Sequence, residues 1–383
     1  MNKVYVLGGF RTPVVVKNNK FKNVKAEELG AEVIKAILQK YPIKEDLAGI
    51  IGGNAVGTGG NITRLMSLLA GISENVPAYT VDMQCASGAV AISNAYADIA
   101  MGKGDVYICG GMESSSLQPL RVYDKKDDRY LKVKNKDGAY TTAQFIPDEM
   151  AEDAMLQGAE RTMQSEKMTK EELDFWIMRS HHLAAKAQQE GLLDDIIVPI
   201  NGYAMDDGIR GKISQKLLDR LPRILGENTL LTAGNSCLIN DGAAFVVLVS
   251  EKWLSRHNDF KPKAEIIDSV MAGSYTKESP RGAMHTADEL LKRNNMRYED
   301  ISAIEFNEAF AAIDVLFQRA HSDLIDRYNS LGGALAYGHP YGASGGILML
   351  HLLKGLELHN GGYGVMSIAG AGGMGMGILV RGF

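Results

Sequence analysis

Apolar positions along the chain follow two spacings, one typical of buried strands and one typical of helices. Near-continuous apolar runs such as residues 106–109 (VYIC) indicate strands that are covered on both faces. Stretches with helical spacing follow such runs, for example residues 26–39 and 89–101. This alternation of strands and helices predicts an α/β fold built on parallel-rich sheets.

One long region interrupts the alternation. It contains a charged segment at residues 123–137, which we interpret as an exposed hairpin or loop, and helical patterns around residues 148–164 and 170–189. The strand pattern returns at residues 244–250. We therefore predict an insertion within the first of two halves. The expected domains are a first half at 1–117 and 233–255, an inserted loop domain at 118–232, and a second half at 256–383.

The two halves carry the same cues in the same order. An amphipathic helix leads to Glu-Asp, an apolar strand and Asn at residues 45–54, and again at residues 299–307. A Gly-Gly-Met triplet follows an apolar strand at residues 110–112, and again at residues 372–374. Four cues repeated in one order favour an internal duplication over chance.

This duplication presents two reactive side chains alike. Cys85 and His339 each lie three residues before a glycine, ahead of a run with helical spacing. A thiol at a helix N-terminus meets the positive end of the helix dipole, which favours the thiolate and lowers the thiol pKa. An imidazole can take the thiol proton and then stabilise an oxyanion. We therefore interpret the pair as a nucleophile and its base. The competing interpretations are that Cys85 is a buried structural cysteine and that His339 is a turn histidine bonded to the backbone.

Two further segments carry candidate chemistry. Asn307 and Glu308 end an apolar strand, where they could position water or donate to an oxyanion. A helix N-cap by Asn307 is the competing interpretation. The glycine-rich residues 367–377 resemble a phosphate loop only superficially, because no helix or acidic residue follows them as in a dinucleotide site. We therefore interpret residues 367–377 as a stretch of backbone that lines an active site. The glycines around His339 indicate that something other than side chains packs against that loop.

Composition narrows the function classes. The 41 Lys and Arg residues against 46 Asp and Glu give a net charge of −5, which argues against a nucleic-acid partner. No apolar run approaches the roughly 18 residues of a membrane span, so no membrane partner is expected. Cys85, Cys109 and Cys237 lack metal-ligand spacing, which predicts a reduced, cytoplasmic protein without a metal site.

Taken together, these motifs resemble the thiolase family of acyl-CoA C-acyltransferases over essentially the whole chain. The matching segments are residues 11–13 (RTP), 85–88 (CASG), 110–114 (GGMES), 235–242 (NSCLINDG), 307–310 (NEAF) and 338–345 (GHPYGASG). The resemblance implies a duplicated five-layer α/β/α/β/α fold with an inserted loop domain. That expectation agrees with the duplication and the insertion inferred from the pattern itself.

The resemblance also implies a role for each candidate residue. Cys85 would accept an acyl group from CoA, and His339 would activate it. His339 and a water held by Asn307 would form one oxyanion hole, while the backbone N–H of Cys85 and the tail at about Ala371 would form a second. Glu308 belongs to the same candidate catalytic set.

The same resemblance makes a CoA thioester the substrate and implies no tightly bound cofactor. The inserted region would contact CoA, with Asn235, Cys237 and Met155 as candidate contacts. The chain would form a homodimer or homotetramer, in which the hairpin at residues 123–137 is a candidate contact between dimers.

One departure from the family pattern changes the expected chemistry. Ala369 occupies the place of a cysteine that moves a proton in the carbon–carbon step, and positioned acid–base catalysis contributes roughly 10²–10⁴-fold. The resemblance thus implies intact acyl transfer with an impaired carbon–carbon step, unless Asn307, Glu308 or a water replaces the cysteine. An acyl-CoA-binding or acyl-transfer subunit without full turnover is the alternative. A relative of the ketoacyl synthases is disfavoured by residues 307–310 and 338–345.

Overall fold

The computed structural model of the protein describes residues 2–147 and 153–383. Its strands are β1 (Val4–Arg11), β2 (Val15–Val16), β3 (Leu47–Gly53), β4 (Ala78–Val81), β5 (Val106–Ser114), β6 (Arg121–Val122), β7 (Ala139–Tyr140), β8 (Asn240–Ser250), β9 (Ala264–Gly273), β10 (Ile301–Phe306), β11 (Gly362–Gly370) and β12 (Met374–Gly382). Its α-helices are α1 (Ala26–Lys40), α2 (Ile62–Leu69), α3 (Ser87–Ala100), α4 (Asp128–Lys132), α5 (Ala154–Ser165), α6 (Lys170–Gln189), α7 (Gln215–Leu218), α8 (Glu251–Arg256), α9 (Arg281–Arg293), α10 (Ala311–Ala320), α11 (Ala334–Tyr337) and α12 (Ser344–Leu358).

The main strands form two half-sheets with the same topology. The first half has the order β4-β3-β5-β8-β1, and the second has β10-β11-β12-β9. The short strand β2 lies off this path. If the other strands of each half are numbered from its own first strand, and the number 3 is kept for a missing strand in the second half, the orders are 3-2-4-5-1 and 2-4-5-1. The third strand of the second half is reduced to a single bridge, in which Tyr328 pairs in parallel with Ile304 of β10. The predicted duplication is therefore confirmed in the strand order.

The two half-sheets enclose a layer of two helices. They join where residues 4–6 of β1 pair with residues 264–266 of β9. Helix α3 packs on β5 and also on β12, while α12 packs on β8 and also on β10, so each central helix touches both half-sheets. Helices α1 and α2 cover the outer face of the first half, and α9 covers that of the second, with α10 packed beside α9. The result is the expected five-layer α/β/α/β/α fold.

Burial on all sides explains why the first part of α12 is largely apolar. Four consecutive residues of α12, Ile347, Leu348, Met349 and Leu350, are all buried, although they point in different directions around the helix. Burying each such side chain contributes about 1.5–3 kcal/mol. None of the helices in the described part of the chain is long and apolar enough to cross a membrane.

The insertion separates β5 from β8, whereas the equivalent strands β11 and β12 are joined by the turn at residues 371–373. The charged segment at residues 123–137 contains α4 and lies between the paired strands β6 and β7. The helical pattern around residues 148–164 corresponds to α5, and its residues 148–152 lie outside the described residues. Helix α6 has the predicted bounds, and β8 begins earlier than predicted. The exact domain boundaries stay a proposal.

Candidate active site

A sharp turn between β4 and α3 presents Cys85. Gln84 has φ 52°, a left-handed conformation that side chains rarely adopt, immediately before the cysteine. The Ser87 hydroxyl holds this turn, because it donates to the Gln84 carbonyl (2.6 Å) and accepts from the Met83 N–H (2.8 Å). Strained backbone of this kind is stored where a structure must aim a side chain. Here it places the thiol at the start of α3, as the sequence predicted.

A second turn, between α11 and α12, presents His339. Gly338 has φ 109°, and a Cβ at this position would lie 2.2 Å from the Asn240 Oδ1. That same oxygen accepts the His339 N–H at 2.9 Å. Glycine is therefore required at position 338, because any side chain would displace the amide that holds the histidine backbone.

The tautomer of His339 follows from its hydrogen bonds. Its Nδ1 lies 2.6 Å from the Ser344 Oγ, and that hydroxyl donates its one proton to the Pro340 carbonyl at 3.0 Å. Both contacts are hydrogen bonds at once only if the hydroxyl accepts from the ring, so we assign the hydrogen to Nδ1 and the lone pair to Nε2. The Asn307 Nδ2 lies 3.4 Å from Nε2. The imidazole is thus held as a base with Nε2 as the proton acceptor, and Ser344 is a functional residue that the sequence analysis missed.

One cavity of about 470 Å³ brings most of the predicted site residues together. Its lining includes five of them: Cys85, His339, Cys237, Met155 and Ala371. Much of the remaining lining is apolar and comes from both halves and from the insertion, with Val56, Phe145, Leu156, Ile224, Leu238 and Phe310. A concave, largely apolar cavity with a few convergent polar groups is typical of a small-molecule site.

The electrostatics of the pair differ from the sequence expectation. Burial raises the pKa of Cys85 to about 12, which a backbone hydrogen bond opposes and the Glu113 and Asp82 carboxylates reinforce. The predicted lowering of this pKa is therefore wrong, because desolvation exceeds the effect of the helix start. Burial lowers the pKa of His339 to about 3. The resting pair is a neutral thiol and a neutral imidazole, so the thiol proton must move to Nε2 as the sulfur attacks.

Glu308 lies outside the cavity. Its carboxylate accepts hydrogen bonds from the Ser180 hydroxyl (2.6 Å), the Asn329 amide (2.9 Å) and the Leu335 N–H (3.2 Å). These contacts connect the segment after β10 to α6, to α11 and to the loop before α11, and the side chain is fully buried. The geometry corrects the expectation of a direct catalytic contact, because consecutive residues after a strand point to opposite sides and Asn307 takes the side of His339.

Asn235 is likewise committed to its own loop. Its Oδ1 accepts from the Thr232 N–H and its Nδ2 donates to the Leu230 carbonyl, each at 2.9 Å. The side chain is buried and is absent from the cavity lining, which corrects its assignment as a direct CoA contact. The proposed N-cap role of Asn307 is also wrong, because α10 begins four residues later with Phe310 as its N-cap.

Comparison with known proteins now decides the family. The model of the thiolase N-terminal domain matches residues 4–252, and that of the thiolase C-terminal domain matches residues 260–382. The chain belongs to the thiolase family. It is 33% identical to VraB of Staphylococcus aureus (strain MW2), which is named as an acetyl-CoA C-acetyltransferase, over 92% of this chain and 93% of that one. The Staphylococcus haemolyticus protein of the same name is 32% identical over 99% and 98% of the two chains.

Solved thiolase-family structures share the entire fold. The acetyl-CoA acetyltransferase of Bacillus anthracis superposes with a TM-score of 0.90 at 26% identity, over 100% of this chain and 99% of that one. Human mitochondrial 3-ketoacyl-CoA thiolase in complex with CoA gives a TM-score of 0.90 at 27% identity, over 100% and 98%. The predicted resemblance is confirmed, and the protein is a thiolase-like acyltransferase.

The glycines of this thiolase site serve the contact between its two repeated loops. A Cβ on Gly345 would lie 2.0 Å from the Ala89 N, and one on Gly88 would lie 2.6 Å from the Gly342 carbonyl oxygen. Each loop therefore packs on the backbone of the other, which is what the glycine density around His339 indicated. The close approach brings the starts of α3 and α12 together.

Position 369 lies at the end of β11, on the face opposite the central helices. Ala369 belongs to the core between the second half-sheet and α9, where a Cβ on Gly282 would lie 3.5 Å from its methyl carbon. The residues that line the cavity include Ala371 but not Ala369. An alanine here carries no proton that chemistry in the cavity could use.

Proposed function

We propose that the protein takes an acetyl or other short acyl group from a CoA thioester onto Cys85. The observation that carries the proposal is the cavity shared by Cys85 and by a His339 whose tautomer Ser344 holds. The thiol proton passes to His339 Nε2 as Sγ attacks the thioester carbon. The carbon–sulfur bond to CoA then breaks, and the imidazolium returns the proton to the CoA sulfur.

Two oxyanion sites would stabilise the negative oxygen. A water bound by Asn307 and the protonated His339 would form one, supported by the position of the Asn307 amide 3.4 Å from Nε2. Backbone N–H groups of Cys85 and of the tail at about Ala371 would form the other, and both residues line the cavity. Each site would donate hydrogen bonds to the thioester oxygen as negative charge develops on it during the attack.

CoA itself would lie along the wall contributed by the insertion. Cys237 and Met155 line the cavity and would contact the pantetheine part. Lys17 and Arg121 belong to the same lining, and their charges complement the phosphates of CoA. CoA enters here as a substrate, with no tightly bound cofactor required by the chemistry.

The carbon–carbon step would be slow. Condensation needs a group that removes an α-proton from the second acyl-CoA, and thiolysis needs one that protonates the leaving enolate. Ala369 supplies neither, and Glu308 is committed to Ser180, Asn329 and Leu335. Acyl transfer would therefore outrun the formation or cleavage of acetoacetyl-CoA.

We further propose that the protein is cytoplasmic and acts in lipid metabolism, and that identical subunits assemble. Strand β4 is the edge of its half-sheet and exposes Tyr79, and the neighbouring helix α2 exposes Leu65, Leu68 and Leu69, each 40% exposed or more. This apolar edge supports a homodimer. The exposed Leu131 of α4, within the charged hairpin, supports the pairing of dimers into a homotetramer.

Rates of the two half-reactions test the proposal. With acetyl-CoA alone, the wild type should release about one CoA per chain in a burst, while acetoacetyl-CoA cleavage stays far slower. Cys85→Ser should abolish the burst, and Cys237→Ser, which changes the other thiol of the cavity, should keep it. A burst that survives Cys85→Ser, or carbon–carbon turnover as fast as the burst, would contradict the proposal.

A further inference from the structure

A fully buried carboxylate, Glu113 at the end of β5, lies at the junction of three segments. Its Oε1 accepts from the Asn54 Nδ2 at 2.8 Å and from the Val56 N–H at 3.3 Å. Its Oε2 accepts from the Ala55 N–H at 2.9 Å and from the Gly342 N–H at 3.0 Å. Two carboxylate oxygens thus receive four N–H groups.

No cation neutralises this carboxylate within the part of the chain that the structure describes, since none of the ion pairs there involves Glu113. A buried charge without a counter-ion is costly, and here N–H dipoles alone hold it. Charged groups in such surroundings cluster at functional sites. The position of Glu113 therefore calls for a role beyond packing.

The segments that Glu113 connects are both parts of the proposed site. Ala55 and Val56 line the cavity, and Gly342 lies between His339 and its partner Ser344. We propose that Glu113 is a positioning residue for acyl transfer, whose ionised carboxylate holds the loop of His339 against the loop at residues 54–56. This inference rests on the proposed acyl transfer to Cys85.

Only the ionised form suits the four donors. A protonated carboxyl or a glutamine amide turns one acceptor into a donor, which then faces N–H groups. Burial raises the pKa of Glu113 to about 7, with an added effect of Asp82, against the lowering effect of the backbone N–H groups. The carboxylate is therefore ionised above about pH 7 and protonated below it. Acyl transfer should lose rate as the pH falls through 7.

The other titratable groups around this carboxylate are Asp82 after β4, Cys85 before α3 and Tyr341 in the His339 loop. Burial raises the pKa of Cys85 to about 12 and that of Tyr341 above its usual range, so neither titrates near neutrality. Burial lowers the pKa of His339 to about 3. A limb near pH 7, meaning a fall in the acylation rate as the pH drops below 7, would thus report protonation of Glu113.

The test measures single-turnover acetylation of Cys85 by acetyl-CoA from about pH 5.5 to 9, in the wild type and three variants. Glu113→Gln should lower the rate above pH 7 by about 10- to 100-fold, the range expected for lost hydrogen bonds to a charged group, and should remove the pH limb. Glu113→Asp keeps a carboxylate and should keep a limb. Glu305→Gln changes another fully buried carboxylate that does not line the cavity, and should leave rate and limb unchanged.

Loss of folding is monitored in the same samples. Cys109 is fully buried in β5, so its alkylation by iodoacetamide reports opening of the chain. A Glu113→Gln variant with Cys109 protected, a slow rate and no limb supports the inference. A limb that persists in Glu113→Gln, or a wild type that acetylates without any limb, overturns it and leaves the proposed function standing. A wild type that does not acetylate Cys85 at any pH overturns the proposed function itself.

Discussion

Replacing Ser344 by alanine tests how strongly the histidine tautomer controls acyl transfer. The hydroxyl is buried, accepts from His339 Nδ1 at 2.6 Å and donates to the Pro340 carbonyl at 3.0 Å. Its removal leaves a buried N–H without an acceptor, at a cost of about 1–3 kcal/mol. The imidazole can avoid that cost by moving its hydrogen to Nε2, and it is then no longer a base toward Cys85.

A free-energy difference of that size corresponds to about a 5- to 150-fold slower acetylation of Cys85, at roughly 1.4 kcal/mol for each factor of ten. Stopped-flow release of CoA in a single turnover measures the rate, and urea unfolding measures stability. Ser115→Ala is the matched control, since its Oγ is buried and has no hydrogen-bond partner among the described residues, and it should stay within about twofold of the wild type. A folded Ser344→Ala variant as fast as that control would refute the tautomer argument.

Three further outcomes are expected. Alkylation of Cys85 by iodoacetamide should rise about tenfold per pH unit from pH 7 to 10, because with a pKa of about 12 the thiolate is a small fraction throughout that range; a plateau near pH 9 would contradict it. Ala369→Cys places a thiol in the core against α9 and outside the cavity, so it should leave both acetoacetyl-CoA cleavage and acetylation of Cys85 within about tenfold of the wild type; a gain of about 10²–10⁴-fold, as expected of a positioned acid–base group, would contradict the placement of position 369. Arg11→Met leaves the buried Asp206 without its bidentate partner at 2.8 Å, and should lower the free energy of unfolding in urea by about 3–5 kcal/mol; a loss below about 1 kcal/mol would be inconsistent with that ion pair.

The sequence predicted the features that depend on local cues. The duplication, the central helices and the pair Cys85 and His339 each show as an apolar run, a glycine and a helix start within a few residues. The same cues placed Asn54 and Asn307 at matching points, after β3 and β10. In the structure their amides have different partners, since Asn54 donates to Glu113 and Asn307 lies beside His339.

Features that depend on distant segments were missed or wrong. The pKa of Cys85 is set by burial under loops far apart in the chain, and a helix start alone suggested the opposite direction. Glu308 adjoins Asn307 in sequence, yet it points away from the cavity. Glu113 contacts residues 54–56 and 342, so its role is visible only once three separate loops are in place. The signal available in the sequence was an acidic residue at the end of a fully apolar strand.

Trapping the acyl intermediate tests the central claim most directly. The protein is mixed with acetyl-CoA, quenched in acid, digested and analysed by mass spectrometry of the peptides that contain Cys85 and Cys237. The account predicts one acetyl group on Cys85, lost on addition of CoA and strongly reduced in His339→Ala. An acetyl group on Cys237 instead, or an unmodified Cys85 in a protein that still binds CoA, would contradict it.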